Sequence, residues 1–561
     1  MPKFKLSWLI GVGFICGLPL AVAEDINQAE QRFLALKINP NNIPTRINCS
    51  AKLRCSLALT GQFYMAESFV ALWTRNGDVL PHAHALLAVI RDSYREGLNP
   101  LDYHLTELER LSAEIRDYQA AANNSALART LADFEVTLSD ALLLYAKHMV
   151  YGRVDNQRDY PTWIISKRSI DLSALLRRAA QTSLDDSLNE LRPHYSGYTK
   201  LKAKLNFYQD IASAWESLPK LARLQIGSSG SAVRILQQRL TLTTESPTSL
   251  NFKPGLFDEN TRRAVISFQQ NNNLPANGIV AGKTRHSLNI PLAQRIKILA
   301  LNLDRLRWLP LTMGWRYILV NIPNFSLDII KDQQLLMTMP VIVGKETNRS
   351  CILNSQISYL ELNPYWIIPE GIAKKELLPK LRLNANYLTA DQIRVYTSFD
   401  QNGSRVNPLK VNWDEIDPAN LNYKFRQEPG PKNALGRVKF IFPNDCGIYL
   451  HDTPSHNLFS KNRRDFSHGC IRIGKPIAMA EYLLADKSSW SPAKIESQIA
   501  SGKRQVIFLN TPIAIHIIYA TAWVDESGEL QFRNDIYAID NIDYPLYLPN
   551  AKNSGHHKND L

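Results

Sequence analysis

The sequence predicts a multidomain α+β protein built from three structured parts. Its 561 residues exceed what one hydrophobic core organises, and about 100–200 residues per domain indicates three or four domains. Apolar residues recur at helical spacing in the first part of the chain. Short runs of β-branched and aromatic residues dominate after residue 315 instead. The expected order is a helical N-terminal region, a small three-helix module and a β-rich domain with a long insertion.

The N-terminus has the form of an export signal. Lys3 and Lys5 precede an apolar run over residues 6–22, and residues 21–23 read Ala-Val-Ala, a cleavage-site pattern. We therefore expect residues 1–23 to be a Sec-type signal peptide. An uncleaved anchor is the alternative, because the run is near the roughly 20 residues that a membrane span needs. No stable membrane span is expected after cleavage.

Residues 24–221 are predicted to form a helical scaffold domain. Leu131, Phe134 and Leu138 follow the spacing of one helix face, and Gly97 stands where a helix containing Leu86 would end. No cluster of titratable side chains points to chemistry in this region. A scaffold is the main interpretation, and a substrate or partner surface is the alternative.

Residues 222–292 are predicted to form a separate module of three short helices. The segments 230–240, 255–269 and 277–280 carry G-x-x-V-x-x-L-Q-x-x-L, G-x-F-D-x-x-T-x-x-A-V-x-x-F-Q and N-G-x-V patterns. In these patterns the module resembles the peptidoglycan-binding-domain-1 family. The resemblance implies binding of glycan or stem peptide, with a structural spacer as the alternative.

The C-terminal part is predicted to be a β-rich domain. A linker helix over 293–314 leads into strands of a domain that extends over 315–510. The strand pattern is interrupted over 369–437, and insertions of this length often form lids or binding loops. Residues 511–561 are expected to be a C-terminal extension.

Cysteine usage fits an oxidising compartment. Five of the six cysteines follow the predicted signal peptide, and Cys49 and Cys55 are close enough in sequence to form a small disulfide loop. Cys446 is interpreted as a packing residue at the end of a strand. The odd count leaves at least one thiol free, and Cys470 is the candidate.

The segment 448–473 contains the candidate chemistry. Cys470 follows a His-Gly pair, and His451 precedes it by nineteen positions. A free thiol has a pKa of about 8.5, so it needs a nearby base to act as a nucleophile at neutral pH. A histidine can accept that proton, and backbone N–H groups around a Gly-Cys turn can bind the resulting oxyanion.

The segment Ser-His-Gly-Cys-Ile-Arg over 467–472 resembles the S/T-H-G-C-x-R motif of the L,D-transpeptidases. The family usually has glycine where this chain has Asp452, and an asparagine where Gly474 and Lys475 stand. With the scaffold, binding module and insertion, the chain resembles the large periplasmic Gram-negative members of that family.

The resemblance implies a role for each motif residue. Cys470 would be the nucleophile, and His451 the general base and proton donor. His468 and Gly469 would supply oxyanion-binding backbone N–H groups together with Cys470. Arg472 would stabilise the site or contact a substrate carboxylate. The residues expected to contact substrate are Tyr449, Trp366 and Ser467.

The implied reaction is acyl transfer on peptidoglycan stems. A tetrapeptide donor would acylate Cys470 and release D-alanine, and a diaminopimelate amine of a second stem would form a 3→3 cross-link. No cofactor and no metal are expected. The implied location is the periplasm, and the implied partners are peptidoglycan glycan and stem peptides, with D,D-carboxypeptidases and other wall-synthesis enzymes as partner proteins.

The net charge of +13 favours anionic partners. It would also allow nucleic acid, but the sequence has no zinc-finger spacing, RNP-like motif or long Lys/Arg run, and no nucleic-acid binding is expected. The charges of Lys461, Arg463 and Arg464 are interpreted as a solvated loop face, with substrate carboxylates as the alternative.

Several other interpretations remain open. A water acceptor would make the protein an L,D-carboxypeptidase, and a lipoprotein lysine would make it an anchoring enzyme. A wall-binding scaffold with a silent catalytic domain is a further alternative. Cys470 could also be an inert buried cysteine, or join His451, His456 and His468 in a zinc site, although His456 is otherwise interpreted as a solvent-facing loop residue.

Overall fold

A computed structural model describes most of the chain. The described residues are 25–38, 57–154, 163–164, 168–181, 183–211, 215, 218–219, 223–243, 251–542, 544 and 546–548. The predicted signal peptide and the predicted Cys49–Cys55 disulfide lie outside these residues.

The helices follow the predicted order along the chain. Gly97, with φ +73°, ends a 3₁₀ turn over Asp92–Glu96 that continues the helix containing Leu86. Their bounds are α1 Ile26–Ile38, α2 Leu57–Ala66, α3 Pro81–Arg91, α4 Leu105–Ala120, α5 Asn124–Tyr151, α6 Leu172–Gln181, α7 Leu184–Asn189, α8 Ser196–Asp210, α9 Ser231–Thr243, α10 Glu259–Asn271, α11 Gly282–Leu288, α12 Leu292–Leu306, α13 Glu370–Ile372, α14 Leu378–Leu383, α15 Tyr387–Ala390, α16 Pro476–Leu484 and α17 Pro492–Ala500.

The chain divides into two compact units. The first comprises Met1–Ile90, Leu101–Leu144 and Ser173–Leu184. Its core includes Leu138, which is fully buried on α5. Beside this apolar face the carboxylate of Glu135 accepts hydrogen bonds from the Tyr64 hydroxyl at 2.8 Å and from a backbone N–H at 3.0 Å. Burial raises the pKa of Glu135 to about 8, and these donors replace the hydration that its carboxyl group has lost.

The second unit contains the predicted three-helix module. Helices α9, α10 and α11 enclose a small apolar core to which Val233, Leu236 and Val265 contribute. Asp258 caps α10, its side chain accepting the N–H of Thr261 at 2.8 Å. The prediction of a compact three-helix module is confirmed.

The second unit also contains the β-rich domain. Eight strands pair in the order β12-β13-β15-β6-β5-β4-β16-β7, and a pairing of β7 with β12 closes them into a ring. The predicted boundary at 510/511 falls inside β16. The strand bounds along the whole chain are β1 Thr74–Arg75, β2 Asp78–Val79, β3 Trp163–Ile164, β4 Arg316–Asn321, β5 Ser326–Lys331, β6 Gln334–Gly344, β7 Ile352–Leu362, β8 Trp366–Ile367, β9 Ile393–Tyr396, β10 Arg405–Val406, β11 Lys424–Gln427, β12 Val438–Ile441, β13 Leu450–His451, β14 Asp465–Ser467, β15 Ile471–Ile473, β16 Gln505–Ile518, β17 Ala522–Val524 and β18 Leu530–Phe532.

The insertion over 369–437 has its own fold rather than an extended loop. Its strands β9, β10 and β11 join β8 in a four-stranded sheet. A separate apolar core, including Leu378, Trp413 and Phe425, packs beneath that sheet. An insertion with its own core behaves as a small subdomain. The fold class, a multidomain α+β protein with a β-rich C-terminal domain, is confirmed.

The interpretation of Cys446 as a packing residue at the end of a strand is wrong. Cys446 forms a disulfide with Cys351, 95 positions earlier in the chain. The bond joins the start of β7 to the loop before β13, two segments that sequence spacing alone cannot bring together. Cys470 is the free cysteine of the described residues, as predicted.

Removal of this disulfide should destabilise the protein. A cross-link that closes a loop of roughly 100 residues is worth about 3–5 kcal/mol, chiefly by restricting the unfolded chain. We expect Cys351→Ser/Cys446→Ser to lower the midpoint of urea unfolding strongly. The control Cys470→Ser removes a thiol outside this disulfide and should change the midpoint little. Equal midpoints for wild type and the double variant would show that the bond does not contribute.

Candidate active site

The turn between β14 and β15 carries Cys470, and the pairing of β15 with β13 gives the site its frame. The two strands are parallel, with Leu450 opposite Ile471 and His451 opposite Arg472. Leu450 and Ile471 are fully buried in the core. Because side chains alternate along a strand, His451 and Arg472 lie on the opposite face from this pair.

The same alternation brings two more residues to that face. Cys470 precedes Arg472 by two positions, and Tyr449 precedes His451 by two. The backbone N–H of Ile471 donates to the carbonyl of Tyr449 at 3.1 Å, which continues the ladder beyond the strands. The sequence-predicted residues Cys470, His451, Arg472 and Tyr449 therefore share one face.

His451 is a buried neutral base. Its Nδ1 lies 2.6 Å from the backbone carbonyl of Asp452. A carbonyl only accepts, so Nδ1 carries the proton and Nε2 keeps a lone pair for a substrate or nucleophile proton. Burial, followed by the charge of Arg472, lowers the pKa of His451 to about 3. The imidazole is therefore uncharged at neutral pH.

Cys470 is half-buried and rests as a thiol. Burial raises its pKa above the ordinary thiol value. The backbone and then the side chain of Tyr449, together with the charges of Lys439 and Arg472, oppose that shift without reversing it. The structure shows no hydrogen bond between Cys470 and His451, both of which are described. The resting pair is thus a neutral thiol and a neutral imidazole on adjacent strands.

Tyr449 has a closer relation to the thiol than a residue that only lines a cleft. Its pKa is raised far above the ordinary value, chiefly by burial and then by the nearby Cys470. The ammonium of Lys439 lies 4.0 Å from the centre of its ring. The sequence indicated Tyr449 as an aromatic near substrate, and the structure adds a contact with the sulfur.

Ser350 holds the peptide between Gly469 and Cys470. The Ser350 hydroxyl donates to the Gly469 carbonyl at 2.6 Å, and accepts the N–H of Gly344 at 2.9 Å. In a trans peptide the C=O and the following N–H point in opposite directions. The N–H of Cys470 is therefore aimed away from Ser350, and it has no recorded partner within the described part of the chain.

Ser467 and Gly469 have structural roles in this turn. The Ser467 hydroxyl accepts the Gly469 N–H at 3.1 Å and donates to the Cys470 carbonyl at 2.5 Å. Ser467 is only 2% exposed. In this structure the Ser467 hydroxyl bonds within the turn, and the Gly469 N–H, which the sequence predicted to bind an oxyanion, donates to it. Gly469 has φ +117°, a backbone conformation that a residue with a side chain rarely adopts.

His468 connects the turn to the insertion. Its side chain is exposed, and its Nε2 lies 2.5 Å from Oε1 of Glu376. Glu376 belongs to a π-helical segment, Ala373–Leu377, of the insertion. The insertion thus contacts the residue two positions before the thiol. The sequence had no signal for this pair, because the two residues are far apart along the chain.

Asp452 anchors the strand that returns from the insertion. The carboxylate is 1% exposed and accepts the backbone N–H and the Nε of Arg437, both at 2.9 Å. Its backbone carbonyl is the acceptor for His451. The residue where the resembled family has glycine therefore fixes both the base and the start of β12.

The remaining predicted residues lie outside the paired strands β13 and β15. Trp366 is on β8 and packs partly buried against the insertion core. Arg463 forms a two-pronged ion pair with Asp465, and Arg464 donates to three backbone carbonyls. Two of the three loop cations are thus used within the fold. His456 is exposed.

Neither a metal site nor a membrane-spanning helix is found among the described residues. Within the described ranges, no group of three or more His, Cys, Asp and Glu side chains is placed to bind a metal ion. The four candidate zinc ligands do not form such a group. A helix long and apolar enough to cross a membrane is likewise not found in that part of the chain.

Three family models match successive parts of the chain. Residues 58–205 match the "Scaffold domain", residues 229–288 the "Putative peptidoglycan binding domain", and residues 316–515 the YkuD "L,D-transpeptidase catalytic domain". The chain thus combines a part that matches a peptidoglycan-binding family with a part that matches a transpeptidase catalytic-domain family. Its catalytic domain belongs to the YkuD family of L,D-transpeptidases.

One curated relative matches part of the chain. A curated protein of Haemophilus influenzae, named "Putative L,D-transpeptidase", is 34% identical over 242 residues, which are 43% of this chain and 48% of that protein. The chain thus spans about half the length of the curated relative it matches.

Solved structures of distant proteins also match. An L,D-transpeptidase from Stackebrandtia nassauensis is 12% identical, with a TM-score of 0.20, and covers 54% of this chain and 96% of that chain. An L,D-transpeptidase from Mycobacterium smegmatis is 12% identical, with a TM-score of 0.18 and coverages of 36% and 58%. Such low TM-scores add nothing to the family assignment.

The neutral resting pair predicts a specific pH profile for the thiol. We expect the rate of alkylation of Cys470 by iodoacetamide to rise through an inflection above the ordinary thiol value of about 8.5. His451→Ala should leave reactivity below pH 7 unchanged, because a histidine with a pKa of about 3 is already neutral there. His456→Ala, at an exposed histidine, is the matched control. A plateau reaching down to about pH 5 that disappears in His451→Ala would indicate an ion pair and contradict this prediction.

Proposed function

We propose that the protein is a periplasmic cysteine L,D-transpeptidase that forms 3→3 cross-links between peptidoglycan stems. The observation that carries this proposal is one sheet face that holds Cys470, a neutral His451 with a free Nε2, and the Tyr449 hydroxyl. The match to the catalytic-domain family supports the reaction class. The peptidoglycan-binding module supports the substrate.

The first half-reaction acylates the enzyme. Sγ of Cys470 attacks the carbonyl carbon at the L-centre of the third stem residue, while Nε2 of His451 takes the thiol proton. Hydrogen bonds of this kind tighten in the substrate complex, so their absence in the free protein is compatible with the role. The tetrahedral oxyanion accepts the Cys470 N–H, whose direction Ser350 sets.

Collapse of the intermediate breaks the C–N bond. His451 returns its proton to the departing amine, D-alanine leaves, and a thioester remains on Cys470. Since the imidazole begins neutral, it can gain and lose one proton within each half-reaction.

The second half-reaction transfers the acyl group. An amine from a neighbouring diaminopimelate attacks the thioester, His451 removes its proton, and Cys470 leaves as a thiol. The contact of Glu376 with His468 brings the insertion to the catalytic turn. Coverage of this kind limits access of water and favours the amine as acceptor.

Muropeptide analysis tests the proposed reaction. Cells that express wild type should contain 3→3 dimers, and cells that express Cys470→Ala or His451→Ala should not, because each variant lacks a group that bonds to or exchanges protons with substrate. His456→Ala should retain the dimers. Cysteine-dependent tripeptides without dimers would indicate a carboxypeptidase, and lipoprotein-linked stems would indicate anchoring. No cysteine-dependent product of any kind would indicate a silent domain.

Ser350 provides a second prediction within this mechanism. Ser350→Ala removes the hydroxyl that orients the Gly469–Cys470 peptide. We expect kcat to fall about tenfold with KM little changed, less than the 10²–10³ that loss of a whole oxyanion donor costs. Ser355→Ala is the control, because that hydroxyl donates to the backbone carbonyl of Pro443 at an exposed position and not to the turn of Cys470. A loss confined to KM would contradict the role assigned to Ser350.

A further inference from the structure

Lys439 lies on the catalytic face but belongs to neither the predicted motif nor its immediate turn. It is on β12, directly opposite His451 on one side and Glu361 of β7 on the other. Side chains paired in register project to the same face of a sheet. Lys439 therefore projects beside His451, on the side away from β15 and Cys470.

The ammonium of Lys439 is partly desolvated without a partner carboxylate. Its side chain is half-buried, Nζ lies 4.0 Å from the centre of the Tyr449 ring, and burial lowers its pKa. Glu361, the carboxylate opposite it, accepts both Nε and Nη2 of Arg504, at 3.1 and 2.8 Å. Among the described residues, no carboxylate oxygen forms an ion pair with Lys439.

Arg472 has the same character on the other side of His451. Its Nε is buried without a hydrogen-bond partner among the described side chains, and burial lowers its pKa. His451 thus lies between two cations that form no ion pair with a carboxylate of the described residues, although the charge of Glu361 acts on Lys439 from a distance. Partly buried charge without a partner is costly, and it is retained where a ligand supplies the opposite charge.

Arg472 and Lys439 lie on opposite sides of His451, so each can bind a different part of a substrate. Arg472 is on the strand of Cys470, so it lies on the side where the acyl group is held. Lys439 is one strand beyond His451, on the side away from the strand of Cys470. Neighbouring strands are about 4.8 Å apart. The carboxyl carbon of an amino acid lies about 2.5 Å from its own nitrogen, by standard backbone dimensions.

We propose that Lys439 is a specificity residue that binds the free C-terminal carboxylate of the residue released from the donor stem. The inference depends on the proposed L,D-transpeptidase activity and adds to it a named carboxylate subsite. A carboxylate held there places the departing nitrogen near Nε2 of His451. In a donor with one further residue, that carboxyl is part of an amide and carries no charge. Lys439 would therefore select stems that end one residue after the scissile bond.

Paired donors test the subsite. The first is a stem tetrapeptide with a free C-terminal carboxylate, and the second is the same peptide with a C-terminal carboxamide. Acylation of Cys470 is followed by intact mass. Wild type should prefer the acid on the order of tenfold or more in kcat/KM, as expected for a charge-assisted contact. In Lys439→Met, kcat/KM for the acid donor should fall to the value for the carboxamide donor, so the preference is lost. Lys439→Arg should restore most of it.

The two hypotheses fail in different ways. A wild-type protein that neither donor acylates would overturn the proposed function and the subsite with it. Acylation by both donors with an unchanged preference in Lys439→Met would overturn the subsite alone. An equal loss on both donors in Lys439→Met, with the alkylation profile of Cys470 also shifted, would show that Lys439 acts on the thiol rather than on substrate, and would also overturn it. Rescue of the preference by Lys439→Arg rules out a folding defect as the cause of the loss.

Discussion

The parallel pairing of β13 with β15 is the constraint on which the candidate site depends. Leu450 and Ile471 are opposite each other and fully buried, so the hydrophobic core sets the register of the two strands. A slip by one residue would turn His451 and Arg472 into the core and expose the two apolar side chains. Packing energy thus specifies which polar side chains share a face with Cys470.

The segments flanking this pair are held by connections between distant parts of the chain. The Cys351–Cys446 disulfide ties the residue after Ser350 to the loop that leads into β13. Ser350 in turn holds the carbonyl of Gly469, at the other edge of the site. One covalent bond and one hydrogen bond therefore relate the oxyanion turn to the strand of the base, and preorganisation of this kind carries most of the electrostatic benefit in acyl transfer.

The sequence could predict features that depend on local patterns, but not those that depend on contacts between distant residues. The fold class, Cys470 and His451 follow from local patterns, namely strand alternation, helix spacing and a short motif. Ser350 and Glu376 could not be found, because each enters the site through a contact with a residue far away in sequence. Lys439 is close to His451 in sequence, but it lies outside the motif, and only the pairing of β12 with β13 brings it to the site. The pairing of Cys351 with Cys446 was missed for the same reason, and spacing favoured Cys49 with Cys55.

Asp452 shows how a departure from a motif can be accommodated by its surroundings. A Cβ added to Gly436 would lie 2.5 Å from the Asp452 side chain, and Gly436 has φ +62°. The carboxylate fits only because the facing residue is glycine and because Arg437 supplies two donors to it. The backbone carbonyl that orients His451 is unaffected by the side chain, so glycine and aspartate can serve the base equally well. The aspartate adds a tie between the residue that orients His451 and β12, the strand that returns from the insertion.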